Sequence, residues 1–112
     1  MRAQAVAQFP ELAAFVGAVE QAYGGRLHGV HLFGSRAHGT ARPDSDYDVA
    51  VVLTDLDNFW TERQRLADIA YDQMLARDIH VQAHPFGLDE WTAADRQDLA
   101  RSARGTAMEL TS

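Results

Sequence analysis

Cysteine and lysine are both missing from these 112 residues. Without cysteine there is no disulfide framework, no thiolate metal site and no thiol nucleophile. Without lysine, a Walker-type phosphate loop and every Schiff-base mechanism are excluded, and all ten basic side chains are arginine. No apolar run approaches the length that spans a bilayer. The opening Met1-Arg2-Ala3-Gln4 does not begin a signal-peptide core, so the cytoplasm is the expected compartment. Positive charge is scarce overall: a formal net charge of −6 disfavours a general role on nucleic acid, which rests on cations neutralising phosphates. Local arginines remain able to grip one nucleotide. Long Gly, Ser or Pro tracts, repeats and linkers are absent too, which argues against disorder.

What is present describes a folded domain. Hydrophobic residues make up 46% and charged residues 23%, ordinary globular values. The length suits one domain over residues 1–112 with a core between two packed layers, and leaves no room for a second, substrate-holding domain. A large substrate must then be brought by another molecule. Pro10 can open a helix in which Leu12, Phe15, Val16 and Val19 recur at helical spacing until Gly24-Gly25. Leu27 to Phe33 alternates as a strand and ends at Gly34, after which Ser35 can cap a short helix through Gly39. Gly39 to Ser45 has the composition of a turn. The run from Asp46 to Leu53 predicts a strand covered on both faces, hence a central one. Phe59 to about Arg77 predicts a long helix with Leu66, Ala67, Ala70 and Met74 on one face. Asp78 to Ala83 alternates again, with Pro85 closing a third strand, and Asp89 to about Ala103 has helical composition anchored by Trp91. The order predicts a small α/β or α+β domain with a mixed central sheet and flanking helices.

Phosphoryl and nucleotidyl transfer need donors for a triphosphate and carboxylates that fix magnesium, all in one place. Asp46 and Asp48 lie two apart on a strand, so both side chains leave one face, while Tyr47 points to the packed side. Gly34 permits close backbone approach, and Ser35 at a helix start offers a hydroxyl and amides to phosphate. Arg36, directly after it, can reach a triphosphate as a bidentate cation.

Phe33-Gly34-Ser35-Arg36-Ala37-His38-Gly39, ten residues between Ser35 and Asp46, and then Asp46-Tyr47-Asp48 resemble the GSx10DxD signature of the DNA polymerase beta-type nucleotidyltransferases, especially their minimal, MntA-like antitoxin branch. The resemblance implies the polymerase beta-like fold. It implies that Gly34 and Ser35 bind the β- and γ-phosphates, that Asp46 and Asp48 ligate magnesium, and that a third acid from a neighbouring strand completes the set. Asp78 is the candidate for that acid, with His80 as the alternative alignment. His38 stands where many relatives carry a second arginine. The implied reaction is in-line attack by a hydroxyl on the α-phosphorus of a nucleoside triphosphate, with two magnesium ions and pyrophosphate leaving. Within the antitoxin branch it implies ATP as donor and AMP placed on a tyrosine of a HEPN-type toxin, in a type VII-like toxin–antitoxin pair. The competing expectation is a nucleotide-binding module that neutralises its partner by complex formation alone.

Plainer readings stand beside these. Asp44, Asp46 and Asp48, with Asp55 at the twelfth position, match the outline of a calcium loop, but the glycine such a loop needs at position six is Val49. An isolated Asp-x-Asp is an ordinary solvated strand start; the Gly-Ser at the right distance is what lifts it. An acid such as Asp78 after a helix is common turn chemistry. His28, His31 and His84 read as surface or packing residues. Arg36 can simply pair with a surface acid, and Arg96, Arg101 and Arg104 read as a solvated helix face. Trp60 and Trp91 read as core or interface anchors.

Overall fold

The computed structural model describes residues 9–34, 42, 46–92 and 108–110. A 3-10 turn at Pro10–Leu12 leads into α1 (Ala13–Tyr23), whose Phe15, Val16 and Val19 are buried at the expected helical spacing. Gly24, at φ 54°, ends the helix in a conformation that favours glycine. After a second 3-10 turn, Gly24–Arg26, come β1 (Leu27–Phe33) and β2 (Tyr47–Leu53). Helix α2 (Phe59–Arg77) follows; the Asn58 side chain caps it, accepting from the Thr61 amide at 3.1 Å. Then come β3 (Val81–Gly87), α3 (Leu88–Thr92) and a two-residue β4 (Met108–Glu109) that sequence patterning does not reveal.

The sheet runs in the order β3-β2-β1-β4 and is mixed. Strand β1 is antiparallel to β2 and β4, whereas β2 and β3 are parallel and joined through α2, the long crossover that parallel pairing demands. The interior strands are therefore β2 and β1, and the side chains of β2 are buried on both faces. On one face Val49, Val51 and Leu53 pack with Phe15, Val19 and Leu66; on the other, Ala50 and Val52 meet Phe33, Phe86 and Trp91. The near-continuous apolar run is what such a doubly covered strand requires.

The third strand differs from its sequence expectation. It begins at Val81 and continues through Pro85 to Gly87. Pro85 is tolerated because β3 is an edge strand, where a missing N–H on the outer side forfeits no ladder bond. Asp78 does not open the strand: it is the C-cap of α2, in the left-handed conformation at φ 54°, with its amide bonded to the Met74 carbonyl at 2.9 Å. Aspartate accepts that conformation better than most residues. Trp91 is a core residue, but Trp60 is 73% exposed and rests edge-on against Phe59. On α2 the predicted apolar face is partly drawn: Leu66 is buried, Ala70 and Met74 are half-buried, and Ala67 is exposed. The expected short helix after Ser35, the turn to Ser45 and most of the last helix lie outside the described residues.

A buried carboxylate fixes α2. Glu62 is only 6% exposed, and Arg26 bridges it to the loop after β2, with Nη2 donating to Glu62 Oε2 at 3.0 Å and Nε to Asp55 Oδ1 at 3.1 Å. Burial first, and then the Glu62 carboxylate beside it, push the Tyr23 phenol well above its ordinary range, so it stays neutral. Glu62→Ala is expected to lower stability by about 2 kcal/mol, the scale of a charged hydrogen bond. The cost stays below that of breaking a wholly buried pair, because Arg26 keeps access to water. Urea midpoints of the two proteins measure it; equal midpoints would deny Glu62 this role.

His31 stacks on Trp91 with ring centroids 4.9 Å apart, and burial holds its imidazole below the ordinary histidine value. As pH falls through about 6.5 the unfolded chain takes up the proton before the folded one, so the contribution of His31 is present above that pH and lost below it. His31→Phe keeps a ring on Trp91 and removes the titration. Its urea midpoint should fall less between pH 7 and pH 5 than that of the parent; parallel losses would assign the acid sensitivity elsewhere.

Candidate active site

The two aspartates meet at the N-terminal end of β2. Tyr47, between them, turns into the core and its hydroxyl donates to Glu11 Oε2 at 2.5 Å. The alternation of an extended chain therefore sends Asp46 and Asp48 to the other side. On the β1 flank, Phe33 pairs with Asp48, and Gly34 follows in a turn at φ 78°. A Cβ at Gly34 would lie 2.6 Å from Asp48 Oδ2 and 3.2 Å from Asp48 Cβ. Both the dihedral and the space demand glycine, and the turn backbone lies directly against the Asp48 carboxylate.

On the β3 flank, Gln82 pairs with Asp48 across the parallel ladder, and its Nε2 donates to Asp46 Oδ2 at 3.2 Å. Two residues on, His84 brings Nε2 to 3.8 Å from Asp48 Oδ1 and its ring against Phe33. Burial lowers the His84 imidazole below its ordinary value and Arg63 adds to the lowering, outweighing the pull of Asp48. His84 is therefore neutral at pH 7. Beside Asp46 a cleft of about 280 Å³ opens between α2 and β3, lined by Arg63, Tyr71, Met74, His80 and Gln82 among others.

Of the residues singled out from sequence, Gly34, Asp46 and Asp48 come together at one strand end, and Ser35 and Arg36 lie outside the described residues. Asp78 stands apart from the cleft lining. Its side chain is 94% exposed and its ion-pair neighbour is His80, at 3.5 Å. Asp78 does not open the strand, because strand alternation does not extend back through a left-handed helix cap, but its carboxylate stays beside the His80 side chain. His84 and Arg63 went unselected. For His84 the signal was the spacing His80, Gln82, His84, hidden by reading Pro85 as a strand end.

Among the described residues no three His, Asp or Glu side chains gather as a metal site. Two adjacent carboxylates nevertheless suit magnesium, which is commonly held by one or two carboxylates together with substrate phosphates. The donor set is all hard oxygen, and the Gly34 turn packs directly against it.

The family model "Polymerase beta, Nucleotidyltransferase" matches residues 23–84. The chain belongs to this family. Its match spans β1, both aspartates, α2 and β3 through His84. The fold of this nucleotidyltransferase domain recurs in solved structures. A toxin–antitoxin crystal structure with AMP-PNP superimposes with TM-score 0.59 at 26% identity, covering 86% of this chain and 69% of that one. Two mutants of the toxin–antitoxin MntA-HpeT share the fold at 22% and 24% identity, with TM-scores of 0.55 and 0.54; each covers 85% of this chain and 68% of the other. No curated protein sequence matches the chain. No helix among the described residues is long and apolar enough to cross a membrane.

Proposed function

We propose that this nucleotidyltransferase moves AMP from ATP to a hydroxyl of a partner protein, most simply a tyrosine of a HEPN-type toxin, and serves as the antitoxin of the pair. The observation that carries this reading is the seating of Gly34 against Asp48 with Asp46 alongside, a pair of carboxylates that could share a divalent cation with the phosphates of a nucleotide. The toxin–antitoxin neighbours, one with an ATP analogue, support the donor and the kind of partner.

In this reading Asp46 and Asp48 hold magnesium, two ions at full occupancy. Bound there, magnesium neutralises charge that accumulates on the phosphates during transfer. The Gly34 amide, Ser35 and Arg36 hold the β- and γ-phosphates, the last as a two-pronged donor. That grip orients the triphosphate so that the acceptor hydroxyl meets the α-phosphorus opposite the departing pyrophosphate. Asp78, at the end of α2 beside His80, is the candidate third acid of this reading, with His80 as the alternative.

The test is incubation of the purified protein with magnesium, ATP and a HEPN-type toxin encoded beside it, read by intact-mass spectrometry. The toxin is expected to gain the mass of AMP on a tyrosine, and Asp46→Asn to give no gain. A toxin modified equally by the Asp46→Asn protein would sink the proposal. An unmodified toxin that is nonetheless silenced by the Asp46→Asn, Asp48→Asn double variant would assign neutralisation to complex formation alone.

A further inference from the structure

We infer that Gln82 is the positioning residue of the cation site, holding Asp46 in place from the neighbouring strand and presenting its carbonyl oxygen to the cation. This rests on the reading of Asp46 and Asp48 as the cation-holding pair. Asp46 precedes β2 and is exposed, and among the described residues the chain there is braced by the bond from Tyr47 N–H to the His80 carbonyl at 2.9 Å. Among the described residues, the Asp46 carboxylate is held by the 3.2 Å bond from Gln82 Nε2. Gln82 is itself fixed by the parallel pairing that places it beside Asp48. The three side chains thus form a short row across two strands, Gln82 next to both acids.

The chemistry of the amide suits that place. Two carboxylates brought together repel, and a third would add to the repulsion before a cation arrives. A glutamine donates to one acid without adding charge, and its second polar atom is a neutral oxygen of the type magnesium and manganese accept. An isosteric carboxylate at position 82 reverses both properties: it cannot donate to Asp46, and it adds a charge that only a cation offsets.

Two substitutions separate these effects, measured by thermal unfolding in chelator and in millimolar magnesium or manganese, and by transfer kinetics. Gln82→Glu is expected to unfold a few degrees below the parent in chelator and to gain more than the parent on adding either metal. Gln82→Leu, which removes both donor and oxygen, is expected to lose about tenfold in kcat with little change in KM for ATP, and to need more magnesium for half-maximal rate. A Gln82→Glu protein with the parent's melting temperature in chelator and the parent's metal response would overturn the inference. So would a Gln82→Leu protein with the parent's rate and magnesium dependence. Failure of the parent to transfer AMP at all would end the proposed function, and the metal-linked melting of Gln82→Glu would still decide the role of Gln82.

Discussion

Replacing Gly34 with alanine is expected to cut AMP transfer about a thousandfold while lowering stability by only about 1–2 kcal/mol. The two numbers come from different atoms. The stability cost is that of holding an L-residue at φ 78° in the left-handed region. The steric conflict is with Asp48 Oδ2, 2.6 Å from the new methyl group, and a carboxylate relieves such a clash by turning about its own bonds. Turning is cheap for the fold and ruinous for the proposed site, because it takes one of the two carboxylates proposed to hold the cation off its mark. Charge stabilisation by a catalytic metal is worth several kcal/mol, which is the thousandfold. If the mechanism is the displacement of Asp48, then Asp48→Asn and the Gly34→Ala, Asp48→Asn double variant lose nearly the same rate, since the second change removes what the first has already moved. Single-turnover rates beside urea midpoints measure this. A Gly34→Ala enzyme within tenfold of the parent would show that the turn does not govern Asp48.

The second large effect lies in the core. Leu66 of α2 is fully buried in the layer that also holds Val49, Val51 and Phe15. Leu66→Ala removes three carbons from a packed interior and is expected to cost about 3–4 kcal/mol. That is a large part of the 5–15 kcal/mol typical of a folded domain. Because α2 is the crossover that lays β3 beside β2, the loss should be felt where Gln82 meets Asp46. Denaturation monitored by tryptophan fluorescence gives the magnitude, and a loss under 1 kcal/mol would mean that the layer closes over the gap.

The sequence announced the centre of this fold better than its edge. Strand β2 was plain because five consecutive apolar residues, Val49 to Leu53, have no interpretation on a surface, and β1 and α2 were bounded by clear stops at Gly34 and Asp78. The reading failed where one residue serves two grammars. Asp78 looks like the first residue of an alternating strand, yet it follows a helix whose last turn needs a left-handed cap, and that local demand prevails. Pro85 looks like a strand end, and is one in a central strand, but strand order is a property of the whole sheet and no local pattern reports it. Glu62 was invisible for a related reason: a glutamate on a helix is assumed to be wet until the arginine that covers it, 36 residues away, is known. The candidate site divided along the same line. Spacing alone groups Gly34, Asp46 and Asp48, because one short stretch of chain carries them, whereas Gln82 and His84 come beside them only through pairing between strands.

The double covering of β2 has a consequence in time as well as space. Its amides are shielded by neighbours on either edge and by side chains above and below, so they should exchange with deuterium only when the whole molecule opens. Asp48 lies on that protected strand, and Asp46 stands exposed just before it, where faster exchange is expected. Binding at the pair should then slow deuterium uptake at Asp46 and along the start of β3 while leaving the interior of β2 unchanged: one jaw of the site is permanently set, and the other is tightened by what it holds.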